Sequence, residues 1–365
     1  MVVDDSAVIR GLLTRTLEGD PDIRVTASVG DGQMAINSIR RQPVDVVILD
    51  IEMPVMDGLT ALPQIIAAAP QTKVLMASTL TKRNADISLK ALSAGAADYV
   101  AKPSATREIH GAGAFKDELL QKVKVLGAVA RDARGQAPRT GFKAERPAAR
   151  TPPAARPAAP ARIVLREMPA NLRPDVIAIG SSTGGPQALF ELLGHLARGV
   201  KQPVLVTQHM PATFTTILAE HITRQCGLPA HEGRDGEPIV GGQCYVAPGN
   251  NHMTVAVHAG GPVIRLNQDP PENFCRPAVD VMLRGALAAY GRKMLVIILT
   301  GMGQDGLKGC GEVVKAGGAV LAQDAATSVV WGMPGAVATA GLCAGVMPLK
   351  EIGPFVRRLV LRSAA

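Results

Sequence analysis

Val176-Ile177-Ala178-Ile179-Gly180-Ser181-Ser182-Thr183-Gly184-Gly185-Pro186 is the stretch on which the fold turns. Its first five residues are apolar or small and too few for a helix, so they read as a strand buried on both faces. Glycines follow, and Pro186 suits the first turn of a helix, where its missing N–H is no loss. A buried strand, a glycine turn and a helix make up a unit of a parallel α/β sheet.

The same rhythm continues downstream. Strands are expected at 176–180, 204–207, 294–300 and 319–322, with helices after Gly185, Pro211, Arg276 and Gly306. Between them, Gly241-Gly242, Pro248-Gly249-Asn250-Asn251 and Gly260-Gly261-Pro262 mark turns around short stretches at 243–247, 253–257 and 263–266. These three are expected to form an antiparallel appendage. Residues 174–360 thus read as a doubly wound α/β domain with an antiparallel insert.

Upstream, residues 1–128 repeat the alternation. Val2-Val3 runs into Asp4, 44–49 into Asp50, 74–77 into Ser78 and 98–101 into Lys102, with a further short strand at 25–28. Helices are expected at 6–17, 33–40, 59–69, 83–93 and 115–129. This is a five-stranded parallel sheet of the flavodoxin-like kind, covered on both faces. Residues 129–173 break the pattern. Six prolines, six arginines and many alanines in 131–161 leave little to pack, so this stretch is a tether, semi-extended where the prolines cluster.

The chain has 365 residues, 47% of them hydrophobic and 3% aromatic, which allows two domains with aliphatic cores. The formal charge is +8, but the six arginines of the tether supply much of it, so no nucleic-acid partner is expected. Five scattered cysteines without ligand spacing read as reduced thiols of a cytoplasmic protein, not as disulfides or a metal site. The opening MVVDDSAV is not a secretory leader, and no apolar run reaches the roughly 18 residues of a membrane span.

Two groups of residues carry chemistry. Asp4, Asp5, Asp50, Ser78 and Lys102 each stand at or just after the end of an expected strand, where a parallel sheet gathers them at one edge. Three carboxylates so placed call for a counter-charge, and Mg²⁺ prefers their oxygens. Asp50 is then able to attack a phosphoryl group whose oxygens the metal and Lys102 neutralise. Ser78 is placed to hydrogen-bond that group, and Tyr99 to change rotamer in response.

In the second group, Ser182 lies in a G-x-S-x-G turn, His209 follows the 204–207 strand, and Asp305 follows the 294–300 strand. Three such strand ends converge. His209 is positioned to take the Ser182 proton, Asp305 to orient the imidazole, and the Met302 N–H to stabilise an oxyanion. His110, His195, His221, His231, His252 and His258 compete for the role of base, but none of them directly follows a buried strand. Asp280 is the rival acid, and its place in a helix makes it a structural partner instead. The order Ser, His, Asp differs from the Ser, Asp/Glu, His of α/β-hydrolases, so another topology is expected.

Residues 1–125 resemble the receiver domain of bacterial two-component systems. The match lies in Val2-Val3-Asp4-Asp5-Ser6, Leu49-Asp50-Ile51-Glu52-Met53-Pro54-Val55-Met56-Asp57-Gly58, Ser78 and Tyr99-Val100-Ala101-Lys102-Pro103. The resemblance implies that Asp50 is the phosphoacceptor and that Asp4, Asp5 and Asp50 hold Mg²⁺. It also implies that Ser78 and Tyr99 are the switch pair, that Lys102 contacts the phosphoryl group, and that Lys102–Pro103 is cis. Receivers usually carry more residues ahead of the aspartate pair than Met1-Val2-Val3. Either the native start lies upstream, or a short first strand weakens the domain.

Residues 174–358 resemble the catalytic domain of the chemotaxis protein-glutamate methylesterase family. The match covers residues 179–186, Gln208-His209-Met210-Pro211, residues 244–249, His252-Met253, Cys275-Arg276-Pro277, Val279-Asp280, residues 299–306 and Trp331-Gly332-Met333-Pro334. It implies Ser182 as nucleophile, His209 as base and Asp305 as its orienter, with Thr183 and the Met302 backbone supporting the oxyanion and no cofactor in the ester step. The implied substrates are glutamate γ-methyl esters on methyl-accepting chemoreceptors, with deamidation of receptor glutamines as a second activity. The implied phosphodonor is a chemotaxis histidine kinase, the unphosphorylated receiver covers the cleft, and a monomer is expected. The alternatives are a receiver-regulated serine hydrolase for another ester, a silent scaffold, and a DNA-binding regulator, for which no helix-turn-helix is visible.

Overall fold

The computed structural model describes residues 1–79, 81–102, 112–135, 163–170, 172–197 and 199–362. The N-terminal elements are β1 (Val2–Val3), α1 (Ala7–Glu18), β2 (Ser28–Val29), α2 (Gly32–Arg41), β3 (Val46–Asp50), α3 (Gly58–Ala68), β4 (Lys73–Ser78), α4 (Lys82–Ser93), β5 (Asp98–Ala101) and α5 (Ala112–Ala133). Their strands pair in the order β2-β1-β3-β4-β5, all parallel. β3 is apolar until its final Asp50, and every residue of it is buried, because helices cover both faces. Ser6, Asp31, Asp57 and Thr81 cap α1, α2, α3 and α4, each accepting from the N–H three residues on. The chain order reverses between β1 and β3, so Asp4 and Asp50 flank the crevice where such sheets bind ligands.

The second set is β6 (Val176–Ser181), α6 (Gly185–Leu196), β7 (Val204–Gln208), α7 (Ala212–His221), β8 (Ala230–Glu232), β9 (Cys244–Val246), β10 (His252–His258), β11 (Gly261–Asn267), α8 (Val279–Tyr290), β12 (Met294–Ile298), α9 (Leu307–Lys315), β13 (Ala319–Gln323), α10 (Met333–Thr339), β14 (Gly345–Met347) and α11 (Leu349–Arg362). A π-helical turn, Ile222–Cys226, continues α7. The main sheet has seven parallel strands in the order β14-β13-β12-β6-β7-β9-β8. The chain enters at β6 and builds outward in both directions, which puts the switch point between β6 and β12.

Four expectations change. The strand expected at 25–28 forms only as Ser28–Val29, opposite Val2–Val3. The 243–247 stretch does not belong to the antiparallel appendage: it is β9, parallel to β7 with Val204 opposite Cys244. Flanking glycines signal a turn equally well in either orientation, and the complete burial of Cys244, Tyr245 and Val246 decides for the main sheet. The insert is therefore the single hairpin β10–β11. The 294–300 strand stops at Ile298, because the Thr300 N–H is taken by Gln323 Oε1 at 2.8 Å. Finally, α5 runs four residues beyond 129, into the expected tether. Asp45 anchors this last turn, accepting from Arg131 Nη1 at 3.1 Å and Arg134 Nη1 at 2.8 Å. The expected cis bond at Lys102–Pro103 lies outside the described residues.

The two sheets are not independent bodies. α4 packs on α6 and α7. Asp86 of α4 accepts from the buried His221 Nε2 at 2.7 Å and lies 3.6 Å from Arg224 Nη2. The Tyr99 ring stacks on Phe214 of α7, centroids 4.2 Å apart and planes 6° from parallel. Met302, Val329 and Val330 of the second domain belong to the same apolar cluster as Val100, Phe115 and Leu119 of the first. No helix among the described residues is long and apolar enough to cross a membrane.

Candidate active site

Ser182 follows β6, His209 follows β7 and Asp305 lies between β12 and α9. The strand termini bring all three to the switch point of the larger sheet. Ser182 is held by its backbone: its N–H donates to Thr300 O at 3.1 Å, and its carbonyl accepts from Gly185 N and Gln208 Nε2. Gly301 allows the close approach, since a Cβ there would stand 2.9 Å from the Ser182 Cβ. Gly184, at φ 76°, then turns the chain into α6.

Asp305 is almost fully buried and saturated. Its Oδ2 receives His209 Nε2 at 2.8 Å and the Val279 N–H at 2.6 Å. Its Oδ1 receives Asn273 Nδ2 at 2.8 Å and the N–H groups of Asp280 and Gly306 at 3.1 and 3.0 Å. Val279 and Asp280 begin α8, which has no side-chain cap of its own, so Asp305 serves as its anion. Burial pushes the Asp305 carboxyl up, but the His209 hydrogen bond, its charge and the backbone donors outweigh this and hold it below the usual range. Burial likewise pulls His209 down, and Asp305 and Cys275 overcome it, raising the ring to about 10.

The expected link between Ser182 and His209 is not made. Among the described residues Ser182 Oγ has no hydrogen bond, and His209 Nδ1 instead faces Cys275 Sγ at 3.4 Å. Met302 is half-buried, and its N–H meets no acceptor among the described residues. Thr183 does have a partner, and it comes from the other domain: its Oγ1 donates to Asp98 Oδ2 at 2.7 Å, a buried contact. Asp98 also receives its neighbour's N–H, Tyr99 N at 2.8 Å, and lies 3.2 Å from Lys122 Nζ. Asp280, the rival acid, binds the Gly309 N–H at 2.7 Å and Asn273 at 3.0 Å, and does not contact His209.

At the other edge, ligand oxygens of Asp4, Asp5 and Asp50 lie within 4.8 Å of one another. Asp4 and Asp50 are buried and Asp5 is exposed. Lys102 Nζ stands 2.6 Å from both Asp4 Oδ2 and Asp50 Oδ1. Asp4 Oδ2 nevertheless makes no hydrogen bond of good geometry. Three carboxylates facing one lysine leave net negative charge, and hard oxygen donors so placed fit Mg²⁺. Burial raises the Asp50 carboxyl, and the opposing pull of Lys102 does not cancel it. A carboxyl raised on folding stabilises the fold only while protonated, below its folded pKa. At neutral pH and without a bound cation its charge is therefore a burden, and Asp50→Asn is expected to raise the Tm, as read by thermal denaturation in metal-free buffer at pH 7. Ser78 Oγ accepts from Ser88 Oγ at 3.0 Å, and Tyr99 is buried against Phe214.

Family models match both halves: the response regulator receiver domain over residues 1–113 and CheB methylesterase over 177–356. A protein-glutamate methylesterase/protein-glutamine glutaminase of Azospirillum brasilense is 65% identical across all of this chain and 93% of its own length. The chain belongs to the CheB methylesterase family. A second relative of the same description, from a group 2 operon of Rhodospirillum centenum, is 62% identical over all of this chain and 94% of its own. The crystal structure of the Thermotoga maritima CheB methylesterase catalytic domain matches with a TM-score of 0.50 and 38% identity. That match covers 51% of this chain and 99% of that one. This is a receiver-linked hydrolase of chemotactic two-component signalling.

Within this CheB-family site, sequence reasoning passed over Cys275, Asn273 and Asp98. Cys275 lies in a stretch that matched the family, yet nothing local pairs it with His209. Asn273 and Phe274 have φ of 54° and 64°, and no sequence signal reveals that turn. Asp98 precedes Tyr99 and reads only as the start of a strand.

Proposed function

We propose that the chain hydrolyses glutamate γ-methyl esters on methyl-accepting chemoreceptors, releases methanol, and is gated by phosphorylation of Asp50. Ser182 Oγ attacks the ester carbonyl while His209 accepts its proton. Thr183 and the Met302 N–H stabilise the oxyanion, and Asp305 holds the ring and offsets its positive charge. Methanol leaves with the proton from His209. Water, deprotonated in turn by His209, then frees the glutamate. Receptor glutamines follow the same course with ammonia as leaving group. The Met302 N–H, which meets no acceptor among the described residues, and the His209–Asp305 pair support these roles.

The observation that carries the gated reading is the hydrogen bond between Thr183 and Asp98. A receiver carboxylate occupies the hydroxyl beside the nucleophile, and the next residue, Tyr99, packs into the same interface. A chemotaxis histidine kinase is the phosphodonor. Asp4, Asp5 and Asp50 would hold Mg²⁺, which would supply positive charge against the phosphoryl oxygens, and Lys102 adds its own. Asp50 phosphorylation draws Ser78 and Tyr99 toward the new group, and the Tyr99–Phe214 stack and the Asp98 contact loosen together.

The test is methanol release from methylated receptor fragments with Mg²⁺, with and without a small phosphodonor. The donor is expected to stimulate the wild type and not Asp50→Ala. Equal stimulation of both would remove Asp50 from the gate. Asp98→Ala is expected to raise activity without the donor roughly tenfold, since a hydrogen bond to a buried charge contributes about 1.5–3 kcal/mol. Lys122 also contacts Glu118 at 2.9 Å, so it keeps an acidic partner without Asp98, and circular dichroism of the variant serves as the fold control.

A further inference from the structure

We propose that Cys275 is a positioning residue for the base, its sulfur holding the His209 ring by Nδ1 in competition with Ser182. This rests on the roles just given to Ser182, His209 and Asp305.

An imidazole has two nitrogens. A serine hydrolase aims one at the acid and the other at the nucleophile. Here Nε2 is committed to Asp305 at 2.8 Å, so Nδ1 is the nitrogen left for Ser182. Cys275 Sγ already holds it at 3.4 Å, and Ser182 Oγ is unbonded among the described residues. Ring and serine cannot engage until the ring leaves the sulfur.

The placement of the sulfur is built into the loop. Glu272 and Cys275 exchange backbone hydrogen bonds at 3.1 and 2.9 Å, closing a tight turn over Asn273 and Phe274. Arg284 of α8 clamps Glu272 from below, with 3.0 and 2.5 Å contacts to its two oxygens. The same turn sends Asn273 to Asp305 and Cys275 to His209, so it grips both members of the pair. The other cysteines differ: Cys244, Cys310 and Cys343 are buried, and Cys226 donates to the Phe190 carbonyl.

The contact also tunes basicity. The ionisable groups about the ring are Asp305 and Cys275. Behind Asp305 stand Asp280 and Glu272, the latter paired with Arg284. Burial opposes a charged ring, and Asp305 and Cys275 together raise it to about 10. A higher ring pKa leaves less of the neutral base that accepts the Ser182 proton. Removing the sulfur therefore does two things: it frees Nδ1 and extends the neutral base to lower pH.

The experiment uses the full chain with ¹³C-labelled histidine, assigning the His209 signal with His209→Gln. Its titration midpoint is followed in the wild type, Cys275→Ala and Cys275→Ser, alongside pH profiles of methanol release. In Cys275→Ala the midpoint is expected to fall by about one pH unit. The acid limb of kcat/KM should move down by a similar amount, with KM unchanged. Cys275→Ser, which keeps a hydrogen-bonding side-chain atom with a shorter reach, should fall between. A midpoint unmoved in both variants overturns the proposal. So does loss of turnover at every pH in Cys275→Ala with the fold intact, since a sulfur that only competes for the ring is not required for turnover. Turnover persisting in Ser182→Ala would instead remove the parent reading, and the ring titration would still decide whether Cys275 holds His209.

Discussion

Ser182→Ala is expected to lower kcat for ester hydrolysis by roughly 10⁴-fold or more. The serine contributes nothing to the fold through its hydroxyl, which makes no hydrogen bond among the described residues. Its backbone contacts to Thr300 O and Gly185 N survive the change. Stability should therefore stay within about 0.5 kcal/mol of the wild type, and the lost rate reports chemistry alone. Methanol release at saturating receptor fragment, with circular dichroism as the fold control, reads both. A residual rate above a tenth of the wild type would mean that another nucleophile works in this cleft.

Asp305→Asn is expected to lose both rate and stability. In rate, a neutral amide no longer balances an imidazolium, and the loss should be about 10⁴-fold in kcat. In stability, the five donors around Asp305 leave no acceptor for an amide NH₂. Whichever oxygen is replaced, buried N–H groups of α8 or Gly306 lose their partner, at about 1–3 kcal/mol for each group left unsatisfied. The pH dependence has a definite sign. The folded Asp305 carboxyl sits below its unfolded value, so its contribution is present above the normal carboxylate pKa and lost as pH falls through the folded one. His209 runs the other way: its contribution is complete below about 6.5 and drains away as pH climbs to about 10. Chemical denaturation across pH should show Asp305→Asn least affected by acid. A variant with wild-type stability at pH 7 would contradict the count of buried donors.

Much of the architecture was legible because the strands that carry it are short, apolar and punctuated by glycine. β3, β6 and β12 could be read one at a time, and their ends named Asp50, Ser182 and Asp305 without knowledge of neighbours. What failed was information that lives between segments. The stretch at β9 has the flanks of a hairpin strand, and only its pairing with β7 tells otherwise. The short edge strands β8 and β14 have too few residues for a period to show. The site divides in the same way. His209 and Asp305 follow buried strands, which is a local property. Cys275 reaches His209 across 66 residues, and Asp98 reaches Thr183 across 85 and between domains. No periodicity or capping signal encodes a contact of that range.

The Asp98–Thr183 bond and the Tyr99–Phe214 stack have a thermodynamic corollary. Under the gated reading, whatever free energy a phosphoryl group on Asp50 removes from docking, docking must remove from phosphoryl binding, in equal measure. The esterase domain then acts as a load on its own receiver. A donor must work against it, and a receptor segment seated in the cleft lifts that load by keeping the halves apart. Substrate and phosphorylation then favour each other, so receptor fragments are expected to raise the level of aspartyl phosphate reached at a fixed donor concentration.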